Sequence, residues 1–209
     1  MTNVNITKNS AIPVFAKNDL MQSLEKITGK NYDTSLSQIG VVMFVLDRSS
    51  SMEGMSIQQA KKGVVHFADE VIESRYQIGL ITFNNCSDLV LEPTNNKTIF
   101  SVKVNSISCS GGTDMLDAFK IAVQIVEEKA GHRVIVVATD GQTEHQEEII
   151  RNAKIAHEKK IDIMAINIEN ADQRFLDQIV SQKKFSVKVE RNDIQTGISS
   201  MAKLLLNGR

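Results

Sequence analysis

Five side chains in this sequence carry oxygen atoms at spacings that suit a hard cation. Asp47, Ser49 and Ser51 stand in "LDRSSSM", Thr113 in "SGGTD" and Asp140 in "ATDG". Carboxylate and hydroxyl oxygens bind Mg²⁺, Mn²⁺ or Ca²⁺, whereas zinc and copper favour imidazole and thiolate. In an extended or turning segment alternate side chains share a side, so Asp47, Ser49 and Ser51 can face one point while Arg48 and Ser50 face away. Gly111 and Gly112 let the backbone approach closely and bend. The two carboxylates neutralise a dication and the hydroxyls add no charge. A cation held mostly by hydroxyls and water still attracts a carboxylate from outside.

Each fragment alone is ordinary, because Asp-Arg-Ser-Ser-Ser is a common loop composition and the other two are common turns or caps. What sets them apart is that each sits at a strand end or a helix start. Val41 to Leu46 is a short run apolar on both faces, the mark of a central parallel strand, and it ends at Asp47. "RVIVVAT" is a second such strand and ends at Asp140; "IDIMAINI" is a third. Thr113 is expected at the N-terminus of the helix "TDMLDAFKIAVQIVEEKAG", with Gly131 as its stop. Asp114 then belongs at that helix start, Arg48 and Met52 at rim and packing positions, and His145 near the rim but not as a ligand. His66 and His157 fall on helices and His132 just before a strand, as surface or core histidines.

The remaining elements alternate strand with helix. "SIQQAKKGVVHFADEVIES" places Ile57, Ala60, Val64, Phe67, Ala68, Val71 and Ile72 at three- and four-residue steps, with Ser56 and Gln59 as a capping box. "YQIGLITFNN" and "SDLVLEP" read as a hairpin turning at 84–87. "KTIFSVKVNSIS" fits a strand through Phe100, Val102 and Val104, and equally a helix through Phe100, Val104 and Ile107. "EHQEEIIRNAKIAHEKK", "DQRFLDQIVS" and "NDIQTGISSMAKLLLNG" are helices, the last with Asn192 and Gln195 as a second box, and "FSVKV" is a late strand. This order predicts a three-layer, doubly wound α/β domain over 38–209, with a mostly parallel central sheet and one antiparallel edge hairpin strand. Such sheets bind ligands beyond the carboxyl ends of their strands. Residues 1–37 are expected to be an Asn-, Ser- and Thr-rich extension with one short helix capped by Asn18 and ended by Gly29, and disorder is the alternative for 1–11.

With 42% hydrophobic and 23% charged residues, the chain can build a full core. A net charge of -1 with dispersed lysines and arginines argues against nucleic acid or an acidic membrane as partner. Cys86 and Cys109 form no metal or redox pair, and the N-terminus has no signal-peptide pattern, so a cytoplasmic protein is expected. No apolar run reaches the ~20 residues of a membrane span. The phosphate loop G-x-x-x-x-G-K-[ST] does not occur.

The three motifs together resemble the metal-ion-dependent adhesion site (MIDAS) of the von Willebrand factor A (vWA) family, across about residues 38–207. The resemblance implies a Rossmann-like vWA fold without enzymatic activity. By the same resemblance Asp47 would anchor the site through water and hydrogen bonds, and Ser49 and Ser51 would bind the ion directly. Thr113 and Asp140 would exchange between direct and water-mediated contact. A Glu or Asp of a protein partner would complete the shell. In some relatives occupancy shifts the last helix, here around 198–206. Intracellular bacterial members assemble with AAA+ ATPases, kinases, phosphatases or stress-resistance systems, which are the partners the family offers. Two alternatives stand beside this reading. One is a Mg²⁺-dependent phosphohydrolase of the haloacid dehalogenase type, which needs an acid where Ser49 stands. The other is a scaffold whose ion is purely structural.

Overall fold

The computed structural model describes residues 40–169 and 171–207. The extension expected over 1–37, with its short helix, lies outside them. Twelve helices and strands account for the described chain, joined by short 3-10 turns. They are β1 (Gly40–Asp47), α1 (Met55–Glu73), β2 (Tyr76–Phe83), β3 (Ser87–Thr94), α2 (Lys97–Asn105), α3 (Leu116–Glu127), β4 (Arg133–Thr139), α4 (Gln146–Glu158), β5 (Ile161–Ile168), α5 (Gln173–Ile179), β6 (Ser186–Val189) and α6 (Ile194–Asn207).

The six strands form one sheet in the order β3-β2-β1-β4-β5-β6. All neighbours are parallel except β2 and β3, the hairpin at one edge. Every residue of β1 is buried, which is why its sequence is apolar on both faces. Helix α1 packs against α2 and α6, and α4 packs against α3 and α5, so a helical layer covers each face of the sheet. This is the doubly wound three-layer architecture anticipated from the sequence.

Chain direction sets the ligand position. From β1 the chain moves outward to β2 and β3, then returns to β4 on β1's other side. The strand order therefore reverses between β1 and β4, and a crevice opens past their carboxyl ends. The register pairs Leu46 with Ala138, so Asp47 and Thr139 finish the two strands level with each other.

Helix starts differ from the sequence expectation in three places. Thr113 is not at a helix N-terminus: α3 begins at Leu116, because Asp114 Oδ1 accepts the Leu116 amide at 3.1 Å and Thr143 Oγ1 accepts the Met115 amide at 2.9 Å. Thr113 therefore lies in the loop before the helix. Ser56 does not cap α1; it is buried inside the first turn after Gly54, which makes no side-chain cap. Asn192 lies within a 3-10 turn, Arg191–Asp193, that runs directly into α6 and leaves no extended residue to act as a cap there. Gly131 has the positive φ of a stop (87°), but α3 ends at Glu127, several residues earlier. The ambiguous segment at 97–105 is helical because Asn96 caps it, its side chain accepting the Ile99 amide at 3.0 Å. Phe100 and Val104 face the core, and Val102 is 63% exposed.

Candidate metal centre

Burial and hydrogen bonding build the site around Asp47, which is fully buried at the end of β1. A buried carboxylate needs donors for both oxygens. Oδ1 accepts the Ser49 amide at 2.8 Å, and Oδ2 accepts Thr139 Oγ1, at the end of β4, at 2.6 Å. Asp47 thereby fixes the start of the serine turn to the neighbouring strand, with its own oxygens occupied. Burial pushes its carboxyl pKa above the ordinary value, against the lowering effect of Ser49 and Thr139; the charge of Asp140 adds to the rise.

Above Asp47 runs a chain of three oxygens. Ser51 Oγ donates to Asp140 Oδ1 at 2.7 Å and stands 3.0 Å from Ser49 Oγ. Ser51 gives its hydroxyl proton to Asp140, and Ser49 Oγ lies between Ser51 Oγ and the Asp47 carboxyl, which its hydroxyl also reaches. Asp140 is largely buried, and desolvation raises its pKa; the Ser51 bond works in the other direction. Glu169 also raises it and Arg191 lowers it, and these two form a bidentate pair at 2.9 and 3.0 Å. Thr113 borders the same group: a Cβ added to Gly141, the residue after Asp140, would stand 3.0 Å from Thr113 Oγ1. The structure thus links Ser49, Ser51 and Asp140 by direct hydrogen bonds, sets Asp47 beneath them, and brings Thr113 alongside through the Asp140–Gly141 turn.

The donor set fits a hard dication. Oxygens around octahedral Mg²⁺, bonded at ~2.0–2.1 Å, lie about 2.9 Å apart along each edge. The Ser49–Ser51 and Ser51–Asp140 separations of 3.0 and 2.7 Å are ordinary hydrogen-bond lengths, which also place these oxygens close enough to share one ion. Two carboxylates among hydroxyls supply the hard oxygens and the negative charge that suit a dication.

Several residues that shape this region are not legible as functional in the sequence. Thr139 is a polar residue ending an apolar strand. Thr143 joins the loop after β4 to the start of α3. Asn84 and Asn85 sit in the hairpin turn. Arg48 points away from the crevice, as alternation requires, and pairs with Asp88 at 2.7 Å and Ser110 Oγ at 3.3 Å. Met52 is fully buried packing. His145 begins α4 with its Nε2 4.0 Å from Asp114 and 3.9 Å from Glu144, close to Thr113 but outside the oxygen chain.

Comparison with known proteins agrees with this architecture. The family model for the von Willebrand factor type A domain matches residues 42–200, and the chain belongs to that family. Bovine inter-alpha-trypsin inhibitor heavy chain H4 is 28% identical over 113 residues, covering 48% of this chain and 12% of its own length. The chain therefore spans a small part of that relative. Among solved structures, the vWF domain of the type V pili tip protein Mfa5 from Porphyromonas gingivalis superposes with a TM-score of 0.74 at 12% identity, covering 82% of this chain and 96% of that one. Proximal thread matrix protein 1 of the mussel byssus, in a structure with a zinc-occupied MIDAS motif, has a TM-score of 0.71 at 17% identity, covering 80% of this chain and 46% of that one. Domains of this family are typically protein-interaction or adhesion modules, some of them metal-binding. No described helix is long and apolar enough to cross a membrane.

Proposed function

We propose that this domain is a metal-dependent protein-interaction module. Ser49, Ser51, Thr113 and Asp140 would hold a divalent cation, Mg²⁺ or the similar Mn²⁺ or Ca²⁺, with Asp47 fixing the serine turn beneath it. When bound, the ion supplies a positively charged coordination position for a Glu or Asp of another protein. The observation that carries this reading is the gathering of the Ser49, Ser51 and Asp140 oxygens into one hydrogen-bonded chain past the ends of β1 and β4. The zinc found in the MIDAS of the mussel protein supports divalent binding as a property of such sites, without fixing the ion here. Both cysteines are free thiols, which fits a reducing cytoplasm and an intracellular assembly, with an AAA+ ATPase, kinase or phosphatase as candidate partner.

A phosphohydrolase of the haloacid dehalogenase type would need a proton-donating acid two residues after Asp47, and Ser49 there cannot serve. Affinity capture from source-cell extract tests the proposal in three arms: wild type with Mg²⁺, wild type with EDTA, and Asp47→Ala with Mg²⁺. The expected result is a set of proteins present only in the first arm. Identical sets in all arms would support a scaffold with a structural ion. Mg²⁺-dependent cleavage of a generic phosphate ester, abolished by Asp47→Ala, would support the enzyme instead.

A further inference from the structure

We infer that the hairpin turn residues Asn84 and Asn85 are positioning residues for the loop that carries Thr113, and so set metal affinity from the edge of the sheet. This rests on the reading of Thr113 as a metal ligand.

The loop from Ser110 to Asp114 has no regular structure of its own. Two adjacent residues hold it: the side chains of Asn84 and Asn85 at its start and middle, and the Asn84 main-chain carbonyl at its end. At its start, Asn84 Nδ2 donates to the Ser110 carbonyl at 2.7 Å and to Ser110 Oγ at 3.1 Å. At its end, the Asp114 amide donates to the Asn84 carbonyl at 2.7 Å. In the middle, the Gly112 amide donates to Asn85 Oδ1 at 2.6 Å. Asn84 is itself fixed within the turn, since its Oδ1 accepts the Cys86 amide at 3.0 Å and its own amide donates to the Cys86 carbonyl at 2.9 Å. An asparagine is needed at 84 because one side chain must donate to the loop and accept from the turn at once; aspartate cannot donate, and alanine can do neither.

The pair of glycines in "SGGTD" is the counterpart of this clamp. A Cβ on Gly111 would lie 2.4 Å from Asn85 Oδ1, and one on Gly112 would lie 2.9 Å from Asn85 Nδ2. Gly111 also has φ +76°. Side chains there would push the turn off the loop. The clamp leads on to the serine turn, because the Ser50 amide donates to the Gly111 carbonyl at 3.0 Å and the Ser110 amide to the Arg48 carbonyl at 2.9 Å. The hairpin turn, the threonine loop and the serine turn are therefore one hydrogen-bonded assembly, in which Asn84 and Asn85 touch the loop without reaching the oxygen chain.

A double-mutant cycle on Mn²⁺ binding, followed by electron paramagnetic resonance of the free ion, tests this. The proteins are wild type, Asn84→Ala, Thr113→Ala and the double variant, with thermal unfolding in EDTA recorded for each. Asn84→Ala is expected to weaken Mn²⁺ binding by about tenfold, and to add no further loss once Thr113 is alanine. A merely structural role would make the two losses additive, which would overturn the inference, as would wild-type affinity in Asn84→Ala. Asn85→Ala, at an exposed residue that bonds the loop alone, decides the question in the same cycle if Asn84→Ala does not fold. If Thr113→Ala itself leaves Mn²⁺ affinity unchanged, the ligand reading falls and this inference with it; if only the asparagine variants are silent, the ligand reading stands and the positioning role is lost.

Discussion

At the scale of single residues, the site depends on buried polar groups being fully paired. Thr139 Oγ1 supplies one of the bonds that keep Asp47 satisfied at zero exposure. Thr139→Val keeps the shape and removes that donor, so it should cost about 1–3 kcal/mol in urea unfolding with EDTA present, the penalty for an unsatisfied buried acceptor. A second polar group lies at the opposite ends of the strands. Tyr76 Oη bonds His132 Nδ1 at 2.7 Å, and His132 Nε2 bonds Asp162 at 2.8 Å. The His132 bond holds the Asp162 carboxyl below its ordinary value of 3.8, against the opposing effect of burial. A lowered folded-state pKa means the unfolded chain takes up this proton first as pH falls. The stabilisation from Asp162 is thus present above 3.8 and is lost as pH drops through the folded value. Asp162→Asn should therefore be less stable than wild type at neutral pH, with the gap narrowing below pH 3.8, as urea midpoints across that range would show. A gap that stayed constant would remove the ionic contribution from this account.

At the scale of elements, close approaches decide what can be changed. A Cβ on Gly63 of α1 would lie 2.9 Å from both the Gln195 carbonyl and Ile198 Cβ of α6. Gly63→Ala should push these helices apart at a cost of about 1–3 kcal/mol, measurable by denaturant unfolding, despite alanine's better helix propensity. A gain in stability would show that the contact yields easily. The same scale explains what the sequence could reveal. Two-sided apolar runs identified β1, β4 and β5, and therefore where Asp47 and Asp140 would emerge, because burial on both faces leaves a period-free signature. The 97–105 segment stayed ambiguous because its apolar spacing serves both periods; a single cap at Asn96 decided it. The expected caps at Ser56 and Asn192 failed because tertiary packing and a 3-10 turn, neither written in local spacing, set those starts. Likewise nothing local marks Asn84 or Thr143 as more than turn residues, since their partners are distant in the chain.

At the scale of the whole molecule, the reversal of strand order between β1 and β4 gathers the serine turn, the threonine loop and the Asp140 turn at one rim. An ion held by groups from these separate segments would bind the folded chain and not the unfolded one. Folding and ion binding are therefore linked. At an ion concentration of 100 times Kd the domain should gain about 2.7 kcal/mol, which raises Tm by about 5–10 °C for a chain of this size. Differential scanning calorimetry with Mn²⁺ and with EDTA would read that shift, and Asp140→Ala should abolish it. Equal Tm values in the two buffers would mean that the folded domain does not take up the ion.

The most direct measurement is isothermal titration of Mn²⁺ into wild type, Ser51→Ala and Asp140→Asn, each shown by circular dichroism to be folded. One ion per wild-type chain is expected, with affinity reduced by about tenfold or more in each variant, since each loses a donor in the linked oxygen chain. Wild-type affinity in both variants, or no uptake by the wild type, would contradict a metal site here.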